Sequence, residues 1–147
     1  MACPKNTTTQ HYLGTHIIAE FFGCDHLNNL PIVKKALIDA AHVCGATILG
    51  THFHTFDPQG LTGYVLLAES HISVHTWPEF GYAAVDVYTC GLMQTHKAVE
   101  HLQKVFNAEH VDSQKIMRGN TNNLPINTTF RYAPHTATIK KNIPSQI

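Results

Sequence analysis

Thirteen consecutive residues, Leu67-Ala-Glu-Ser-His-Ile-Ser-Val-His-Thr-Trp-Pro-Glu79, hold two histidines, two serines, two carboxylates and the only tryptophan of the chain. Several chemistries use such residues. Ser70, His75 and Asp86 are the types of a hydrolase triad, but no Gly-x-Ser-x-Gly surrounds Ser70, and Glu-Ser-His provides no glycine for the sharp turn a nucleophile elbow needs. His52/His54 and His71/His75 stand at even spacings, so each pair shares one face of a regular strand, as metal ligands would. No H-E-x-x-H or cysteine pair completes a ligand set, and no metal is expected. Phosphate-binding loops of the types G-x-x-x-x-G-K and G-x-G-x-x-G do not occur.

The elements that must hold these residues follow from periodicity. Residues 12–22 are β-branched and aromatic and read as a strand closed by Gly23-Cys-Asp25. A helix follows, with Asn28 and Asn29 to cap it, Pro31 in its first turn, an apolar stripe of Val33, Leu37, Ala40 and Cys44, and Gly45 as its end. Residues 46–56 and 63–69 form two strands around Asp57-Pro-Gln-Gly60, and 71–76 and 81–90 two more. Residues 95–107 are helical, 109–117 a last strand, and 120–147 an irregular tail rich in Asn, Thr and Pro. The expected fold is α+β, a two-layer sandwich with an antiparallel sheet and both helices on one face. Glu20-Phe-Phe-Gly-Cys24 and Asp86-Val-Tyr-Thr-Cys90 share their spacing, each followed by a helix and a strand, an echo of internal duplication. The uncovered face or edge of such a sheet predicts a homo-oligomer, at least a dimer.

With 147 residues, 44% hydrophobic and 14% charged, the chain is read as one domain. Ten basic and ten acidic side chains leave no basic face for nucleic acid. No apolar run of membrane-spanning length and no signal-peptide pattern is present, so a cytoplasmic protein without a membrane partner is expected. Cys3, Cys24, Cys44 and Cys90 are scattered and are expected to be thiols.

The run from Ala68 to Glu79, Gly81-Tyr-Ala-Ala-Val-Asp-Val-Tyr-Thr-Cys-Gly91, Gly45-Ala-Thr47 and Phe53-His-Thr-Phe-Asp-Pro-Gln-Gly-Leu-Thr-Gly63 closely resemble the short prokaryotic S-adenosylmethionine decarboxylases. The likeness extends from about Leu13 to Gly119 and leaves out the tail. It implies a cofactor made from the chain itself. In that family the serine of Glu-Ser attacks the preceding carbonyl, the amide becomes an ester, and elimination leaves a pyruvoyl group. Here the chain would part between Glu69 and Ser70 into pieces 1–69 and 70–147. The pyruvoyl carbonyl condenses with the amine of a small-molecule substrate and accepts the electrons released with carbon dioxide. The product, an aminopropyl donor, would feed spermidine synthesis.

Further roles come by matching positions. The resemblance implies that His75 assists self-processing, that Thr62 supplies a hydroxyl to it, and that Cys90 returns a proton to the substrate carbon. Alternation places Cys90 on the strand face of Asp86 and Tyr88, whereas a buried apolar thiol is the plainer reading of an isolated cysteine. Phe56 matches the aromatic that stacks on adenine, and Glu79 the carboxylate that accepts from both ribose hydroxyls. Phe53 is a further aromatic for the sulfonium cation, against a plain core role. Ser70 and His75 have opposite parity, so the strand is expected to bend between them. The other histidines, His16 among them, are read as exposed or hydrogen-bonded residues without function. The chain departs from the family after Gly91, where Leu92-Met-Gln-Thr-His96 replaces acidic residues and a tryptophan. Decarboxylation of arginine or ornithine on the same scaffold is therefore an alternative, and a non-enzymatic metal- or ligand-binding homologue a lesser one.

Overall fold

The computed structural model describes residues 11–123. The chain runs β1 (Tyr12–Phe22), α1 (Leu30–Cys44), β2 (Ile48–Thr55), β3 (Leu61–Leu67), β4 (Ser70–Trp77), β5 (Tyr82–Cys90), α2 (Thr95–Val105) and β6 (His110–Asn120), with short 3-10 turns at Pro78–Phe80 and Thr121–Asn123. All six strands form one antiparallel sheet in the order β2-β3-β4-β5-β1-β6. This is the expected α+β arrangement. β1 and β5, the two strands that enter a helix, lie side by side in its interior.

Sequence determines this locally. Asn29 accepts from the Ile32 amide at 3.1 Å, Pro31 occupies the first turn of α1, and Gly45 ends the helix in the left-handed conformation at φ 84. The odd positions Ile17, Ala19 and Phe21 of β1 and Ala83, Val85 and Val87 of β5 join Ile72 and Val74 of β4 under Val33, Leu37, Ala40, Ala98, Leu102 and Phe106 of the helical layer, all buried. The opposite face has no covering layer among the described residues. It carries His16, His71, His75, Asp86, Tyr88 and Trp77, with Tyr64 44% and Trp77 40% exposed.

Two boundaries differ from expectation in ways that matter. β3 begins at Leu61 and stops at Leu67, so Ala68 and Glu69 make a two-residue turn and the Glu69–Ser70 bond lies at a hairpin tip rather than at a strand end. β4 then runs Ser70–Trp77 with unbroken pairing to both neighbours. No bulge interrupts β4 between Ser70 and His75; the departure from regular strand geometry falls on Ser70 itself, at φ 147. β6 runs on to Asn120, past the expected end at residue 117, because it pairs with β1 along nearly its whole length; the expected irregular tail lies, from residue 124 onward, outside the described residues.

Candidate active site

Ser70 stands opposite Leu67 and Thr89 where β4 begins. The turn before it contains no glycine, although a two-residue hairpin normally uses one. Ser70 instead takes φ 147, a region disfavoured for any residue with a Cβ. That rotation has a chemical consequence. Because Cβ and the backbone carbonyl carbon sit about 120° apart around the N–Cα bond, this φ turns Cβ to within roughly 30° of eclipsing the Glu69 carbonyl carbon. The side chain is folded back toward the atom that its oxygen would attack.

The surroundings of the turn hold that carbonyl in place. The Cys90 amide donates to the Glu69 carbonyl oxygen at 2.8 Å, and the Thr47 amide donates to the Glu69 carboxylate at 2.9 Å. Ser70 Oγ lies 3.2 Å from His71 Nδ1. His71 faces the open side of the sheet, where its ring meets Tyr88 at 5.9 Å and His16 at 6.4 Å between centroids. His16 Nε2 donates to Asp86 at 2.9 Å, Arg118 Nη1 donates to His16 Nδ1 at 3.2 Å, and the Arg118 guanidinium lies over the Tyr88 ring. Burial depresses the His71 pKa, with Asp86 opposing and His16 adding to the shift, so the neutral ring is favoured.

A second group gathers toward the other end of β4. Thr62 and His75 face each other across β3 and β4, with Thr62 Oγ1 2.7 Å from His75 Nδ1. Phe56, His75, Trp77 and Glu79 line one cavity of about 330 Å3, and Gln59 donates to Glu79 at 3.2 Å across its mouth. Phe56 is half exposed and meets the His54 ring edge to face at 4.9 Å. The structure thus brings Phe56, Glu79, His75 and Thr62 together, and separately Glu69, Ser70 and Cys90. Five residues of strand, about 16 Å, separate Ser70 from His75.

Phe53 joins neither group. It sits on the helix side, packed against the core and directly over Gly63, where an added Cβ would come within 2.1 Å of its ring. A glycine opposite an aromatic is here a packing device. Cys24 and Cys44 are free thiols, whereas Cys90 is disulfide-bonded, so the all-thiol expectation fails at Cys90. Proton donation from Cys90 requires the reduced sulfur. No three histidine, cysteine or carboxylate side chains group to hold a metal ion among the described residues.

Residues 15–119 match the family model of S-adenosylmethionine decarboxylase. The chain belongs to the S-adenosylmethionine decarboxylase family. It is 48% identical over 110 residues to an S-adenosylmethionine decarboxylase proenzyme of Methanococcus maripaludis, a match covering 73% of this chain and 90% of the relative. A proenzyme of the same name from Caldicellulosiruptor saccharolyticus is 44% identical over 112 residues, 74% of this chain and 90% of the relative. The crystal structure of the adenosylmethionine decarboxylase from Aquifex aeolicus superposes with a TM-score of 0.70 at 39% identity, covering 75% of this chain and 93% of that one.

Matching of positions to the family missed the open-face cluster. His71, His16, Asp86, Tyr88 and Arg118 come from four strands, and only the antiparallel pairing of β4, β5, β1 and β6 brings them together. One signal was available: His71 shares its face with His75 and directly follows Ser70.

Proposed function

We propose that this chain is a pyruvoyl-dependent S-adenosylmethionine decarboxylase that matures by cutting itself between Glu69 and Ser70. The observation that carries this reading is the hairpin tip itself, a serine at φ 147 whose side chain turns toward a carbonyl already held by the Cys90 amide. An amide donor on that oxygen stabilises the negative charge that grows as the carbon becomes tetrahedral. The strain at Ser70 is relieved when the bond breaks.

The pyruvoyl group left at residue 70 would supply an electron-accepting ketone, and the residues around Ser70 fit it. Tyr88 and His71 flank the position on the open face, and Cys90 lies on that face at the end of β5. In this reading reduced Cys90 delivers a proton to the substrate carbon after carbon dioxide leaves. Phe56 stacks on the adenine and Glu79 accepts from the ribose hydroxyls; their shared cavity supports the pairing.

The reading includes a homodimer, which the distance between the two groups supports. One chain cannot bring His75 and its cavity to its own Ser70, since they lie five residues apart along a straight strand. A two-fold copy packed on the open face would lay the Phe56–Glu79 end of one sheet over the Ser70 end of the other, covering Tyr64 and Trp77 as well. The partners in this reading are a small-molecule substrate and a second copy. No helix among the described residues is long and apolar enough to cross a membrane.

The test is a denaturing gel and mass spectrum of purified protein followed by labelled carbon dioxide release from S-adenosylmethionine, arginine and ornithine in parallel. Two fragments near half the chain mass and release from S-adenosylmethionine alone are expected. Release only from a basic amino acid would move the substrate to the alternative, and an intact chain with an unmodified Ser70 would remove the enzyme altogether.

A further inference from the structure

We propose that His71, rather than His75, is the base that starts self-cleavage by taking the Ser70 hydroxyl proton. This rests on the reading of Ser70 as the cleavage serine and assigns the first step of that reaction to a particular side chain. Three observations carry it. His71 Nδ1 is the ring nitrogen within hydrogen-bond reach of Ser70 Oγ, at 3.2 Å, the separation at which a general base must stand. His75 has its Nδ1 bonded to Thr62 Oγ1 at 2.7 Å, and within its own chain it stands about 16 Å further along the strand. The backbone at Ser70 already folds its side chain toward the Glu69 carbonyl carbon.

The step balances within the chain. Ser70 Oγ forms a bond to the Glu69 carbonyl carbon while its proton passes to His71 Nδ1. The Cys90 amide holds the resulting oxyanion. The carbon–nitrogen bond then breaks, the proton moves from His71 to the departing nitrogen, and an ester replaces the amide. His71 is therefore the catalytic acid and base of an acyl shift, and nothing from outside is consumed.

The cluster around His71 suits that role. Tyr88 meets it from β5 and His16 from β1, Asp86 acts on it from the same face of β5, Arg118 of β6 lies over Tyr88, and its partner on β3, Leu66, is apolar. Asp86 is hydrogen-bonded to His16 at 2.9 Å, and burial outweighs its pull on a His71 cation. Burial lowers the His71 pKa, so the ring stays a proton acceptor to lower pH than an ordinary histidine.

The experiment follows cleavage of freshly translated full chain by mass spectrometry for wild type, His71→Ala, His71→Gln and His75→Ala across pH 5 to 8, with circular dichroism to confirm the fold. Both His71 variants should process roughly a hundredfold or more slowly than wild type, the size of a lost general base. Added imidazole should restore part of the His71→Ala rate. Neutral hydroxylamine, which cuts esters and spares amides, should release no fragments from either His71 variant. The wild-type rate should hold through neutral pH and fall only on the acid side of the ordinary histidine range. A folded His71→Gln that processes at the wild-type rate, or a wild-type rate that does not fall in acid, would overturn the assignment. If only His75→Ala is slow, the base is His75. A wild-type chain that stays whole would instead overturn the self-cleavage reading and His71 with it.

Discussion

The amide of Cys90 points at the carbonyl oxygen of Glu69, 2.8 Å away, and so ties the end of β5 to the tip of the β3–β4 hairpin. Only the backbone of Cys90 makes this bond, which separates two duties that one residue would otherwise confuse. In the proposed reading the amide serves chain cleavage and the sulfur turnover.

Ser70→Gly and Ser70→Ala should both remain uncleaved, since neither has a nucleophile, yet they should differ in stability. Glycine accepts φ 147 without a Cβ penalty, whereas alanine keeps it. The glycine variant should unfold later in urea by about 1–2 kcal/mol, offset in part by its more flexible unfolded chain. Equal midpoints would mean that the turn stores no strain.

Thr62→Val keeps the shape of the side chain and removes the oxygen bonded to His75 Nδ1. A histidine without that partner rotates and loses its chosen tautomer. Because His71 starts the reaction, loss of this bond can slow only a later step: maturation should slow about tenfold to a hundredfold by mass spectrometry, with an ester that neutral hydroxylamine cuts, and Thr62→Ser should stay near wild type. Normal maturation of the Thr62→Val chain would give Thr62 a structural role alone.

Much of this was legible in the sequence because local signals and tertiary demands agree. Asn29, Pro31 and Gly45 fix α1, and period-two alternation gives the strands and their faces. The hairpin tip at Ala68-Glu69 was not legible, since its turn lacks the glycine or asparagine that marks such turns, and the strain falls on Ser70 instead. The open-face cluster was hidden for another reason. Pairing of β1 with both β5 and β6 unites residues about seventy and a hundred positions apart, which no periodicity can reveal. The sequence left Phe53 open between core and site; its pairing with Gly63 on the helix side puts it in the core, whereas Phe56 lies past the end of β2 and lines the cavity with Glu79.

Phe56→Ala should weaken substrate binding while sparing the fold. The ring is 50% exposed, so its loss costs little stability. Stacking of a base on an aromatic contributes about 1–3 kcal/mol, which predicts a KM higher by roughly tenfold or more with a smaller change in kcat. Phe53→Ala should do the reverse, lowering the melting temperature and leaving the KM of the folded enzyme near wild type. If both variants behave alike, the separation of the core ring from the cavity ring does not bear on binding.

Cys90 offers the sharpest separation of cleavage from catalysis. Its amide is present in every variant except proline, so Cys90→Ala should mature at close to the wild-type rate, with the Glu69 carbonyl still held. Its turnover should fall by about a hundredfold or more, because no proton is returned to the substrate carbon. Wild-type protein should respond to reductant, since a disulfide-bonded sulfur carries no proton to give. Dithiothreitol should therefore raise carbon dioxide release in the wild type without changing how completely the chain is cut, and it should do nothing for Cys90→Ala. Turnover in Cys90→Ala equal to the reduced wild type would mean that another group, such as the Tyr88 hydroxyl on the same face, supplies the proton.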